Sequence, residues 1–176
     1  MRGTTRDQGF TLIEILVVMI IVGLLAAIAV FTMAGGSQQR ELESETRELF
    51  LLMQAASEQA VLNNLELGLM FDDEGYQFVA FQEDTGEWRA SGERIFRKRA
   101  LPEWLDVTVY VDTNAPRLPT SEDQTLPDVV FFSSGETTPF ELELTAVDRT
   151  DHRQVIASDG LSPMEWRKPG MEEEDS

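Results

Sequence analysis

The sequence predicts an α+β protein in which one long N-terminal helix, apolar in its first half and amphipathic in its second, packs on antiparallel β-sheets. In the first 64 residues, apolar positions form an uncharged run and then recur every three or four residues, as in a helix. Further along, the pattern changes to short alternating runs that are separated by turn residues, which indicates strands. Many short strands beside one helix favour a helix layer on antiparallel sheets.

Composition and charge limit the possible functions. The chain has 176 residues, which is enough for one ordinary domain beside an anchor segment. Its formal net charge is −18, and only two of its 32 acidic residues lie in the first 40 positions. An acidic domain of this kind argues against a nucleic-acid partner but leaves a basic protein partner or a metal ion open. The absence of cysteine excludes disulfides and thiolate sites.

The first element is the apolar run, in which residues 15–34 carry no charge. At about 1.5 Å per residue this run reaches roughly 30 Å, the thickness of one bilayer core. Arg2 and Arg6 precede it, so the positive-inside tendency puts residues 1–9 in the cytoplasm and the rest of the chain across the membrane. Hydropathy alone allows a plain signal anchor, or a cleaved signal peptide with its A-x-A site at residues 27–29.

The residues at the start of the run support a third interpretation. Positions 9–14 read GFTLIE, which resembles the processing site of type IV pilins and pseudopilins. In that family a prepilin peptidase cuts after the glycine, here Gly9, and the new N-terminal residue, here Phe10, is N-methylated. The resemblance implies a pilin-like fold with a cleaved leader at residues 1–9, a transmembrane and assembly helix at 10–34, and a periplasmic domain at 35–176. The chain would cross the bacterial inner membrane once.

Glu14 is the one acidic residue near the apolar run. A carboxylate inside a membrane segment costs a few kcal/mol at the centre and less near an end, so it persists mainly where it has a partner. Cleavage after Gly9 would create an α-amino group on Phe10, one helical turn away. Pairing within the chain is possible, and so is an interfacial Glu14 that reaches the lipid headgroups. The resemblance implies instead that Glu14 meets the amino terminus of a neighbouring subunit and sets the register of assembly.

The second half of the helix, residues 35–64, is amphipathic, with a soft point at the adjacent glycines 35–36. Asn63 and Asn64 predict its end. The side chains predicted to face the core are Leu42, Thr46, Leu49, Met53, Ala56 and Ala60.

Residues 65–170 are predicted to form the antiparallel sheets, and the acidic tail, residues 171–176, to be frayed. A proline-containing stretch at residues 112–128 is predicted to form a long exposed loop. The predicted strands are 67–71, 76–81, 88–90, 95–101, 105–111, 129–132, 140–147 and 154–157.

A second resemblance lies at residues 130–144, which read VFFSSGETTPFELEL. This stretch is similar to the conserved C-terminal hairpin of the H-type minor pseudopilins of type II secretion and of related FimT-like minor pilins (the GspH/FimT-like family). From the residues alone, an ordinary hairpin is the alternative. Phe140, Leu142 and Leu144 should share one face. The residues that carry the resemblance are Gly135, Glu136, Thr138, Pro139 and Phe140.

The sequence offers little support for catalysis or a cofactor. His152 is the only histidine, so a histidine-based metal site or a Ser–His triad lacks support. The acidic stretches at 72–74 and 122–123 could bind Ca²⁺, but their spacing favours solvated charge. The basic residues within 94–99 are predicted to pair with acidic neighbours or with another subunit. We therefore expect no enzyme activity, no cofactor and no metal site.

The two resemblances together imply a minor pseudopilin of a type II secretion system, H type, located at or near the tip of the periplasmic pseudopilus. The partners that the resemblance implies are the prepilin peptidase, the inner membrane, the major pseudopilin and other minor pseudopilins, with secreted substrates as a further candidate and no nucleic acid. A minor pilin of a type IV pilus is the alternative within this class. A membrane-anchored periplasmic enzyme or binding protein is the alternative outside it, and it would need a pocket with convergent polar groups.

Overall fold

The computed structural model describes residues 11–112, 118, 125–147 and 149–168, with the side chains of residues 28–37 and 149–152 outside the description. The predictions for Gly9, Phe10, the leader, the acidic pair at 122–123, the side chain of His152 and the C-terminal tail therefore fall outside the described part. The chain divides into two compact units, Met1–Arg40 and Glu41–Ser176.

A single helix, α1, runs from Leu12 to Asn63 and includes the two glycines at 35–36. Thr11 precedes it and accepts a hydrogen bond from the Glu14 N–H through its Oγ1, at 3.3 Å, as an N-cap residue does. At the other end Asn64 has φ of 50°, and the Leu65 N–H donates to the Ala60 carbonyl. These observations confirm the predicted end of the helix at Asn63 and Asn64. Asparagine tolerates the left-handed conformation in which a helix commonly ends.

In the second unit, one face of α1 packs into the hydrophobic core. The six side chains predicted for this face are at most 1% exposed. Thr46 is the polar member, and its hydroxyl donates to the Leu42 carbonyl at 2.7 Å, so its burial leaves no unpaired donor. The predicted core-facing stripe is confirmed.

The strands of the described residues belong to two antiparallel sheets. The first sheet has the order β3-β2-β1-β6, with β4 paired to β2, and the second has the order β5-β7-β8-β9. The strands are β1 (Leu67–Asp72), β2 (Gly75–Gln82), β3 (Glu87–Ala90), β4 (Arg99–Ala100), β5 (Leu105–Val111), β6 (Val129–Phe131), β7 (Phe140–Ala146), β8 (Arg149–Ser158) and β9 (Glu165–Arg167).

The inner faces of both sheets contribute to the same core as α1. Phe78 of β2 and Phe131 of β6 are at most 1% exposed, as are Leu142 and Leu144 of β7. Phe140 is 5% exposed, so the prediction that residues 140, 142 and 144 share a buried face is confirmed.

The predicted strand at residues 95–101 is confirmed only at Arg99–Ala100 and is wrong for the residues before them. A 3₁₀ turn at Arg94–Phe96 and the two-residue strand β4 take its place. Phe96 is buried against Phe78, with ring centroids 4.9 Å apart, while the preceding Ile95 is largely exposed. One large aromatic anchor in the core therefore overrides the strand-like alternation. Strand β9 is not among the predicted strands, because a three-residue strand that follows Pro163 has little periodic signal.

Candidate functional site

Two regions are candidates for function: the first half of α1, and the segment that joins β6 to β7. Of the residues predicted for processing, Gly9 and Phe10, and for assembly, Glu14, the structure describes Glu14. It lies in the first turn of α1, and its side chain is exposed. A carboxylate at this end of a helix is favoured by the helix dipole.

The first half of α1 exposes apolar side chains around its whole circumference. Leu12 is 85% exposed, and every residue of the described stretch 11–27 is exposed. A helix that is apolar on all sides is stable where other apolar groups surround it, either in a membrane or between packed helices. Over the part of the chain that the structure describes, no helix combines the length and the apolarity required of a membrane span.

The segment from Phe131 to Phe140 reverses direction locally, with the Phe132 N–H donating to the Glu136 carbonyl, and then crosses to the other sheet. The predicted hairpin is therefore wrong in one respect, because β6 and β7 do not pair with each other. β6 pairs with β1 in the first sheet, whereas β7 pairs with β5 and β8 in the second. Between them lies a tight turn with one isolated bridge, Phe131 to Thr137. β6 is only three residues long and Pro139 has no N–H to donate, so the ladder ends and the chain passes to the other sheet.

The turn of this crossover is held by hydrogen bonds. Gly135 has φ of 92°, a conformation that favours glycine, and its N–H donates to the Phe132 carbonyl at 2.9 Å. The Ser133 N–H and hydroxyl both donate to the Glu66 carboxylate, each at 2.8 Å. A charge-assisted pair of this kind fixes the turn to the segment that follows α1.

The far side of the crossover is held by the turn after β8. The Thr137 N–H donates to the Gly160 carbonyl at 2.9 Å, and its hydroxyl bonds with that of Ser158 at 3.1 Å. A Cβ at position 160 would lie 2.8 Å from the Thr137 carbonyl oxygen, so only glycine fits there. Of the predicted residues, Thr138 and Phe140 are therefore buried parts of the scaffold, while Glu136 is exposed.

An open groove that the sequence did not reveal lies beside the crossover. It has a volume of about 290 Å³ and runs between the second half of α1 and the turn after β8. In that turn Asp159 accepts the N–H groups of Leu161 and Ser162, at 2.9 and 2.7 Å. These bonds lower the pKa of Asp159, because they stabilise its charged form. The groove was missed because its walls are far apart in sequence.

Charged side chains near the predicted acidic and basic clusters pair with each other. Lys98 lies 2.8 Å from both Asp72 and Glu74, and its hydrogen bond lowers the pKa of Asp72 while raising its own. Arg99 pairs with Glu48 on α1. The prediction that the basic residues at 94–99 pair with acidic neighbours is thus confirmed for Lys98 and Arg99. Among the described residues, no cluster of acidic or histidine side chains is arranged to hold a metal ion.

A cation joins the end of the second sheet to α1. Lys168 binds Glu43 at 2.5 Å, and its ammonium lies 4.7 Å from the centre of the Trp166 ring. The hydrogen bond from Lys168 lowers the pKa of Glu43. Trp166 in turn packs against Phe50, with ring centroids 6.0 Å apart.

Burial raises the pKa of Tyr76, whose side chain is part of the hydrophobic core.

Comparison with known proteins adds two family matches. A model described as "Prokaryotic N-terminal methylation motif" matches residues 4–30, and one described as "Type II transport protein GspH" matches residues 45–160. The type II secretion system protein H of Pseudomonas aeruginosa is 33% identical over 162 residues, which cover 88% of this chain and 92% of the relative. The protein H of Aeromonas hydrophila is 28% identical, with 96% and 98% covered.

The fold is similar to that of a solved structure, the minor pseudopilin EpsH of the type II secretion system of Vibrio cholerae. The TM-score is 0.62 at 19% identity, and the match covers 74% of this chain and 98% of the other. A long N-terminal helix with two antiparallel sheets thus defines the class as pilin-like, and the predicted fold class is confirmed.

Within this class, the chain belongs to the type II transport protein GspH family, the H-type minor pseudopilins of type II secretion. This membership confirms the predicted family and the predicted function as a structural subunit of the pseudopilus system.

Proposed function

We propose that this minor pseudopilin is made as a precursor, cut after Gly9 and methylated on Phe10. Its helix at residues 10–34 holds the subunit in the bacterial inner membrane and then packs among the helices of neighbouring subunits. Residues 35–176 form its periplasmic domain. Support comes from the methylation motif over residues 4–30 and from the exposed apolar surface of the first half of α1.

The observation that carries the proposal is the position of Glu14. It is an exposed carboxylate in the first turn of a helix whose other described neighbours, from Leu12 to Leu25, are apolar or small. In an apolar environment of low dielectric, such a charge gains strongly from a positive partner. The α-amino group of Phe10 on a neighbouring subunit supplies that charge, and a misaligned helix leaves both charges unpaired. Glu14 therefore sets the register of packing.

The periplasmic domain serves recognition and does no chemistry of its own. Its partners are the major pseudopilin and the other minor pseudopilins, at or near the tip of the pseudopilus, with secreted substrates as a further class. The prepilin peptidase acts on the precursor. The hydrogen bonds from Ser133 to Glu66 hold the crossover in one position, which suits a subunit with a defined place in an assembly.

Mass spectrometry of the protein purified from membranes tests the processing. We expect a mature chain that begins with N-methylated Phe10. An intact Met1, or a new N-terminus at residue 30 after cleavage behind Ala29, would contradict the proposal.

Replacement of the charge tests the role of Glu14. We expect Glu14→Gln to be processed normally but to fail to crosslink with other pseudopilins in membranes, while Glu14→Asp retains part of the crosslinking because it keeps the charge. Glu83→Gln, an exposed residue in a turn of the periplasmic domain, is the matched control. Wild-type crosslinking by Glu14→Gln would rule out the register role.

A further inference from the structure

Among the strands of the described residues, β5 is an edge of the second sheet. On one side it pairs with β7 over its full length, from Leu105↔Ala146 to Val111↔Phe140. Among the strands that the structure describes, none pairs with its other side. Its sequence, LDVTVYV, contains neither proline nor lysine, which commonly protect an edge from further pairing, and Asp106 is its one charged residue.

The hydrogen-bonding phase of β5 shows which backbone groups face outward. The Val147 N–H donates to the Trp104 carbonyl at 2.9 Å, and the Asp112 N–H donates to the Pro139 carbonyl at 3.4 Å. Residues at even positions therefore point their backbone groups toward β7, because the direction alternates along an antiparallel strand. The N–H and C=O groups of Val107, Val109 and Val111 point away from the sheet.

The other edges of the two sheets are short. β6 and β9 have three residues each, and β3 has four. Pro127 precedes β6, and the exposed Arg89 of β3 is paired with Glu87. Such edges offer few backbone groups to a partner strand. β5, with seven residues, is the edge that can accept a new strand.

The side chains of β5 specify what such a strand must carry. On the inner face Val107, Val109 and Val111 are half-buried, and the first two pack against the core. An added strand therefore needs apolar side chains at every second position, to continue this face.

The outer face of β5 and β7 is acidic. Asp106 and Tyr110 are exposed on β5, and Tyr110 stands directly opposite Glu141 of β7. Glu143 stands opposite Thr108 and lies 3.6 Å from Arg153. The remaining positions of an added strand should therefore be lysine or arginine, which can pair with Asp106 and stack on the Tyr110 ring.

We propose that the outer edge of β5 binds an extended segment of another protein, in which apolar residues alternate with lysine or arginine, as an additional strand of the second sheet. The main-chain bonds to Val107, Val109 and Val111 supply affinity, and the acidic outer face supplies selectivity. A second copy of this chain is a poor occupant, because each copy carries a formal net charge of −18.

The test uses the full chain in a neutral maltoside detergent and a fluorescein-labelled peptide of sequence KVKVKVK with blocked ends, with empty micelles as the background. We expect saturable binding in fluorescence anisotropy. The acidic twin EVEVEVE should bind at least about tenfold more weakly, because its charges meet Asp106 on the outer face of β5. A third peptide with KVKVKVK side chains but N-methylated valines should also lose at least about tenfold, since it cannot complete the backbone ladder.

Two substitutions locate the site on the protein. Val109→Pro removes an N–H that points outward and leaves the pairing with β7 in place, so we expect a folded protein that binds KVKVKVK about tenfold more weakly. Asp106→Lys should weaken binding without touching the backbone. Binding by the N-methylated peptide equal to that of KVKVKVK would overturn the proposal, as would absence of saturable binding. The chain could also self-associate, and Val109→Pro could abolish that self-association. This result would show that the edge of β5 binds a second copy of the chain, and it would also overturn the proposal.

Discussion

The two halves of α1 share one secondary structure and a rich apolar content, but they differ in what covers them. From Leu12 to Leu25 the side chains are exposed on every side of the helix. From Leu42 to Ala60 most apolar side chains lie in one stripe that is almost fully buried, whereas the other face is mainly polar and exposes Leu51. A helix that is apolar on all sides needs apolar groups from outside the chain to cover it, such as lipids or other helices. A helix with a single apolar stripe can be covered by the core of its own chain. The second half of α1 is therefore part of the folded core, whereas the first half is the part for which we propose a role in assembly.

The largest expected effect comes from a matched pair of methionines, one in each half. Met53 is fully buried and Met19 is 68% exposed. We expect Met53→Ala to lower the free energy of unfolding by about 2–5 kcal/mol, because it leaves a cavity in the core. Met19→Ala should change it by less than about 0.5 kcal/mol. Urea unfolding followed by near-UV circular dichroism gives both values, and equal losses would erase the distinction between the halves.

A smaller effect is expected where the crossover meets the second half of the helix. A Cβ added to Gly135 would lie 3.7 Å from a methyl of Val61, an ordinary contact, so the cost of Gly135→Ala is that of its positive φ. We expect a loss of about 1 kcal/mol in the same unfolding experiment. Gly92→Ala is the control, because a Cβ there meets nothing within 4 Å and its φ is not positive. Equal results for the two variants would show that the turn tolerates rearrangement.

The smallest effect concerns pH and the turn beside the groove. The pKa of Asp159 is lowered from its ordinary value of 3.8 in the folded protein by hydrogen bonds to its carboxylate. Its stabilising contribution is therefore complete above that value and is lost as the pH falls through it toward the lower folded pKa. We expect wild type to have a higher Tm than Asp159→Asn at pH 7, and this gap to shrink as the pH falls below 3.8. A gap that stays constant down to pH 2 would show that the carboxylate charge contributes nothing.

The helix and most strands could be predicted from the sequence because their signals are local. The stripe from Leu42 to Ala60 and the alternation of Phe140, Leu142 and Leu144 each repeat over several turns or pairs, and burial follows the pattern directly. The segment around Phe96 has no such repeat: its conformation depends on the contact with Phe78, which comes from another strand.

The candidate site was predictable only in part, because some of its residues have local sequence signals whereas others are placed by contacts with distant parts of the chain. The position of Glu14 in the first helical turn follows from the sequence around it. The crossover does not, because residues 130–144 have the alternation of a hairpin while their two strands pair with different partners. The bonds from Ser133 to Glu66 and from Thr137 to Gly160 join positions that are distant in sequence.

The placement of β6 has a consequence for how the domain forms. Its pairing with β1 joins Leu67 to Phe131, and β5, which belongs to the other sheet, lies between them in the chain. Neither sheet is therefore a contiguous block of sequence. During synthesis from the N-terminus, β1 keeps one unpaired edge until residues 129–131 are present. The pairing of β1 with β6 closes a long loop, which costs chain entropy, so we expect this pairing to form late in folding.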